Sequence, residues 1–168
     1  MTCQLFRYAD GVDEPRWLDE REQRAWRGYL AMQARLHARL NRRLQDDSGL
    51  SLSDFDVLVA LTDRAGGRTD GEVRMRVHEL ADTVQWERSR LSHQLSRMQR
   101  RGLVEREDCE DDARGAFVVL TDEGRRAIER AAPPHVTAVR ELVFDGLDDG
   151  QVDALARIAE IVLERVGS

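Results

Sequence analysis

The sequence predicts a mainly α-helical chain that carries one small β-hairpin. Three observations predict it. Apolar residues recur at steps of three and four over long stretches, as at Ala25, Tyr29, Met32, Leu36 and Leu40. Two short segments, 103–107 and 116–120, read instead as strands, the second being the β-prone run Ala116-Phe117-Val118-Val119-Leu120. Residues that start or stop helices stand between these stretches: Asp19 with Glu22, Ser51, Gly102, Thr121, and Asp148 with Gln151.

Composition bounds the function. A chain of 168 residues holds one domain, or one domain with a dimerisation extension. No apolar run is long enough to span a membrane, and residues 1–10 lack a charged stretch followed by an apolar one, so a cytoplasmic protein is expected. Cys3 and Cys109 are too few and too far apart for a disulfide scaffold or a zinc site. His37, His78, His93 and His135 show no ligand spacing, so no metal and no cofactor are expected. No Gly-rich phosphate loop or nucleophile motif is present, and the chain is not expected to be an enzyme. All 26 cationic side chains are arginine. The net charge of −6 argues against a generic nucleic-acid binder, but the distribution does not. Residues 86–106 hold six arginines and two acids, a basic stripe on an acidic body.

The elements follow in order. Residues 1–18 are expected as a flexible N-terminal tail. Residues 19–47 form a first dimerisation helix, because a helix of about seven turns with an apolar face is too long for one small domain to cover. Asp46-Asp47-Ser48-Gly49 breaks it, and Ser51 then caps a helix through Leu61 with Phe55, Leu58 and Val59 inward. Residues 64–72 hold three glycines and read as a loop, followed by a short strand at 74–77. A helix at 78–85 buries Leu80, Ala81 and Val84, Trp86 sits at a turn, and a second helix covers 87–101 until Gly102 stops it. The hairpin follows. Thr121 caps the next helix, which Pro133-Pro134 should kink or split. The last helix opens at Asp148 and carries the apolar stripe Val152, Leu155, Ile158 (or Ala159) and Val162. Residues 48–122 thus read as a winged helix–turn–helix region, and 123–168 as C-terminal dimerisation helices.

The helix at 87–101 carries the chemistry. Leu91, Leu95 and Met98 form its buried stripe. The opposite face presents Ser89, His93, Ser96, Arg97 and Arg100. Arginine forks can bond guanine O6 and N7 together, and Ser and His reach bases or phosphates. Ser89, Arg90, His93 and Arg97 are therefore expected to read bases, and Arg88, Ser92 and Arg100 to meet phosphates. The hairpin tip is acidic, with Glu107, Asp108, Glu110, Asp111 and Asp112, yet it also holds Arg114. Asp112 can orient Arg114 by a charge-assisted bond while its guanidinium reaches the minor groove.

The runs Glu79-Leu80-Ala81, Arg88-Ser89-Arg90-Leu91, Arg101-Gly102-Leu103-Val104, Asp112-Ala113-Arg114-Gly115 and Val119-Leu120-Thr121-Asp122-Glu123-Gly124 resemble the multiple-antibiotic-resistance regulator (MarR) family, from about residue 20 to the end. The resemblance implies a homodimer on a near-palindromic operator, probed by a wing in which Asp112 supports Arg114. It also implies release by a small molecule, aromatic or phenolic, or by an oxidant. Trp26, Tyr29 and His37 are candidate pocket residues, against a plain interface core; Cys109 among acids is a poor thiolate. A sequence-specific regulator, with repressor the leading sign, is the main reading. The alternative is a winged helix used only for protein contacts, with its basic stripe facing an acidic partner.

Overall fold

The computed structural model describes residues 15–64, 73–108 and 116–167. The chain divides into two compact units, residues 1–35 and 36–168. In chain order come helices α1 (Glu20–Ser48) and α2 (Leu52–Arg64), strand β1 (Arg74–Arg76), helices α3 (Val77–Val84) and α4 (Arg88–Arg100), strands β2 (Val104–Asp108) and β3 (Ala116–Leu120), and helices α5 (Asp122–Leu142) and α6 (Asp149–Val166). This is the mainly α fold with a winged helix–turn–helix that the sequence predicts.

In the first unit, the Asp19 carboxylate accepts from the Glu22 amide at 2.7 Å while the Asp19 amide donates to Glu22 at 2.9 Å. This reciprocal pair satisfies two donors that a helix start otherwise leaves open. Trp17, Trp26, Tyr29, Leu30 and Met32 are all exposed. Trp26 and Tyr29 stack, with centroids 5.6 Å apart.

The second unit holds the core. Leu44 and Leu50 from the α1–α2 corner join Phe55, Val57, Leu58 and Leu61 of α2, Leu80 of α3, and Leu91, Leu95 and Met98 of α4. Gly49 and Gly102 turn the chain with φ of +69° and +70°, a region open to glycine at little cost. The turn between α3 and α4 uses Gln85 in the left-handed region, φ 54°, and the Trp86 amide returns to the Ala81 carbonyl at 3.0 Å.

The sheet is three-stranded and antiparallel, in the order β1-β3-β2. Arg74 pairs with Val119 and Arg76 with Phe117, while Glu105 and Glu107 face the same two residues from β2. Met75, Val118, Val104 and Leu120 are buried beneath. Phe117 carries the Arg74 guanidinium at 4.1 Å and the Arg76 guanidinium at 4.9 Å, so its ring is lined by cations at the root of the wing.

Three departures from expectation stand out. Helix α2 continues to Arg64, three residues beyond the expected end, and buries Val57 as well as Phe55 and Leu58. Helix α5 is not split: it runs from Asp122 to Leu142 with Pro133 and Pro134 inside. The two prolines cost hydrogen bonds to the carbonyls of Glu129 and Arg130, which lie on the exposed side and can meet water. Ala127, Ile128, Ala131 and Ala138 keep the other side buried across the prolines. Phe144–Gly146 adds a 3-10 turn that the sequence reading omits. Helix α6 begins with a reciprocal Asp148–Gln151 pair and leaves Leu155, Ile158, Ile161, Val162, Leu163 and Val166 exposed. Among the described residues, no helix is long and apolar enough to cross a membrane.

Candidate nucleic-acid interface

Helix α4 has two unlike sides. Leu91, Leu95 and Met98 are fully buried, and each contributes about 1.5–3 kcal/mol by leaving water. That burial fixes the helix rotation and hence what faces outward. Arg88, Ser89, Arg90, His93, Arg97 and Arg100 are exposed, and Ser92 is half-buried. Arg90, His93, Ser96, Arg97 and Arg100 line one shallow open groove. No acidic side chain lies within α4, so nothing on the helix itself offsets its four arginines.

Several of these side chains are held. The Arg90 guanidinium lies 4.2 Å over the Trp86 ring, anchored to the turn before α4. Ser96 Oγ donates to the Ser92 carbonyl at 2.9 Å. The Arg97 guanidinium donates to the Gln94 side-chain oxygen. Asp56 of α2 feels the same region: burial pushes its carboxyl above the usual range, and the charges of His37 and Arg90 pull it partly back.

Three polar residues behind this surface are missing from the sequence reading. Asp54 and Gln94 are both buried. The Asp54 carboxylate accepts from Gln94 Nε2 at 2.6 Å, from Arg101 Nη1 at 2.7 Å, and from the Ser51 amide and hydroxyl at 2.8 Å each. Arg101 also donates to the Gly49 carbonyl at 2.7 Å, which ties the end of α4 to the α1–α2 corner. Gln94 stands at the same helical spacing as the leucines, and Ser51-x-x-Asp54 has capping-box spacing. Those were the available signals.

The wing's root is placed, with β2 and β3 in continuous register from Val104↔Leu120 to Asp108↔Ala116. Asp112, Arg114 and Cys109 at its tip lie outside the described residues, as do Glu110, Asp111, Cys3 and the glycine loop at 65–72. Of the candidate pocket residues, Trp26 and Tyr29 are exposed and stacked on each other, and His37 is exposed. Among the described residues, no group of three or more His, Cys, Asp or Glu side chains could hold a metal ion.

A three-stranded wing next to a helix–turn–helix, with a basic outward helix and long terminal helices that leave apolar side chains exposed, defines a winged-helix regulator. Comparison with known proteins narrows the class. The MarR family model matches residues 48–115. The crystal structure of Sco3205, a MarR family transcriptional regulator from Streptomyces coelicolor in complex with DNA, is 43% identical and has a TM-score of 0.81, covering 91% of this chain and 92% of that one. AbsC, a MarR family transcriptional regulator from the same organism, is 38% identical with a TM-score of 0.80, covering 90% of this chain and 98% of its own. The organohalide-sensing regulator RdhR-CbdbA1625, solved in its 2,4-dichlorophenol-bound form, shares the fold at 19% identity and a TM-score of 0.74, over 96% of this chain and 89% of that one. A search of curated proteins gave no match. The chain belongs to the MarR family of transcriptional regulators.

Proposed function

We propose that this chain is a sequence-specific, double-stranded-DNA-binding regulator, acting in the cytoplasm as a homodimer on a near-palindromic operator and most simply as a repressor. The observation that carries this reading is the outward face of α4, which is exposed, free of acids and opposite a fully buried stripe. Such a helix fits the major groove, where Arg97, Arg90, Ser89 and His93 would meet base edges and Arg88, Ser92 and Arg100 phosphates. Arg114, supported by Asp112, would enter the adjacent minor groove. Sco3205, at 43% identity, is a relative solved with DNA, which supports the same partner here. A second copy of this chain is the natural cover for the apolar side chains of α6 and, separately, for those of residues 17–32. We read the chain as non-enzymatic. Trp26 and Tyr29 would suit an aromatic or phenolic effector.

A salt titration of duplex binding tests the reading. Contact with phosphates requires log K to fall steeply and linearly with log salt, with a slope near −0.9 per phosphate neutralised. Absence of duplex binding at low salt would sink it and leave the protein-contact reading. Selection of bound duplexes from a random pool then gives the half-sites, which a symmetric dimer should space about one helical turn apart.

A further inference from the structure

A carboxylate only accepts hydrogen bonds, so Gln94 must turn its amide nitrogen towards Asp54. The side-chain oxygen of Gln94 is thereby forced to face the other way, where the Arg97 guanidinium donates to it. Gln94 and Asp54 are 2% and 3% exposed, whereas Arg97 is exposed. A buried amide, locked in one orientation by a buried acid, therefore grips a surface arginine of the recognition face. Arg100, one turn further on, lines the same groove, and among the described residues no side chain grips it in this way.

We propose that Gln94 is a positioning residue for Arg97, and that the Asp54–Gln94 pair sets base specificity by holding that guanidinium in one orientation before DNA arrives. The inference rests on the reading of α4 as the major-groove helix. Arginine on a long stem samples many rotamers, and two parallel bonds to one guanine need a single orientation of the fork. A grip on one amino group leaves the remaining donors to point outward. The same grip explains why a glutamine occupies a position where the helix otherwise buries Leu91, Leu95 and Met98. Asp54 in turn is fixed by Ser51 and Arg101, so the orientation of Arg97 is referred to the α1–α2 corner rather than to α4 alone.

The test compares wild type, Gln94→Met and Arg97→Ala. Methionine fills a similar volume without an acceptor oxygen. Each protein selects duplexes from a random pool, and the enriched positions are compared. Gln94→Met should lose preference about tenfold at one base pair of each half-site, the same one that Arg97→Ala loses, with the rest of the motif and the salt slope unchanged. Adding Gln94→Met to Arg97→Ala should change that preference no further. A uniform loss at all positions, or a loss at a different base pair, would overturn the proposal. A second measurement needs neither DNA nor a variant at position 94. In the free wild-type protein, side-chain nitrogen relaxation should show the Arg97 guanidinium ordered and that of Arg100 mobile. Equal mobility of the two would overturn the proposal even if DNA binding stands. An ordered Arg97 in a protein that binds no duplex would instead sink the DNA reading, and with it the role in specificity.

Discussion

Gly124 lies so close to the backbone of Leu103 that a β-carbon on it would meet the Leu103 carbonyl oxygen at 2.0 Å and the Leu120 side chain at 2.8 Å. The first turn of α5 is thus seated directly on the start of the wing. Thr121 completes the seat: its hydroxyl donates to the Gly102 carbonyl at 2.6 Å and accepts from the Gly124 amide at 2.9 Å. This gives the Leu120-Thr121-x-x-Gly124 run a physical meaning as a joint between wing and helix. Gly124→Ala should destabilise the protein by about 1–3 kcal/mol, because backbone rather than a flexible side chain must yield. Urea unfolding measures it; an unchanged midpoint would show that the joint gives way freely.

Asp54 joins three parts of the second unit through one carboxylate, and most of its partners are buried or half-buried. Asp54→Ala should cost about 2–4 kcal/mol, since it strands the amide of Gln94 and the cap of α2 without an acceptor. Arg101→Ala should cost less, because Arg101 is exposed at its outer end and water replaces part of what it loses. A double-mutant cycle between the two should return a coupling of about 0.5–3 kcal/mol. Strict additivity would mean that the ion pair adds nothing to the hydrogen bonds around it.

Local signals were legible in the sequence where a few neighbouring residues decide the structure. The stripe at Leu91, Leu95 and Met98, the stop at Gly102 and the caps at Thr121 and Asp148 depend on spacings of three and four, and all appear in the fold. The pairing of β1 with β3 and the bond between Gln94 and Asp54 join residues some 40 positions apart, and no local spacing encodes them. The absence of a split at Pro133-Pro134 has the same origin. Propensity alone predicts a kink or a split, but a buried alanine and isoleucine face keeps the helix continuous despite the bonds lost on the wet side. The exposed face of α4 was legible as soon as its buried stripe was known. The grip on Arg97 was not, because a glutamine within an apolar stripe gives no hint of its partner.

His135 of α5 packs against the Phe55 ring of α2 at 4.3 Å, and its Nδ1 is buried without a hydrogen-bond partner among the described residues. Burial holds its pKa below the ordinary value of 6.5. The folded state therefore binds fewer protons than the unfolded chain just below pH 6.5. This contribution is full above 6.5 and declines as pH falls towards the lowered folded value. His135→Phe keeps the ring contact and removes the proton, so it should flatten the loss of stability between pH 7 and pH 5. Parallel slopes for the two proteins would assign the acid sensitivity to other groups.

Helix α6 leaves Ile158 and Leu163 60% and 65% exposed, although a helix of its length keeps an apolar face only to cover it. If a second copy covers it, Ile158→Glu or Leu163→Glu should give a monomer by sedimentation. Operator affinity should then fall about 10²–10⁴-fold, the gain that linking two half-site contacts confers. A dimer that survives both substitutions would place the interface elsewhere.

The wing and the recognition helix should fail in different ways. If Arg97 meets a base edge as proposed, Arg97→Ala should cost about 1–3 kcal/mol on the selected operator and relax preference at one position. If Arg114 enters the minor groove as proposed, Arg114→Ala removes a contact made where narrow A·T-rich tracts concentrate negative potential. Its cost should therefore be largest on operators with A·T-rich flanks and small on G·C-rich ones, with the central half-site preferences retained. The nearby acids in the sequence, Glu110 and Asp111, oppose DNA, so removing Arg114 should also leave a wing that is repelled. Neutralising Glu110 and Asp111 should then strengthen binding without regard to flank sequence. Titration of the four proteins against matched operators separates the outcomes, and indifference of Arg114→Ala to flank composition would take that residue out of the minor groove.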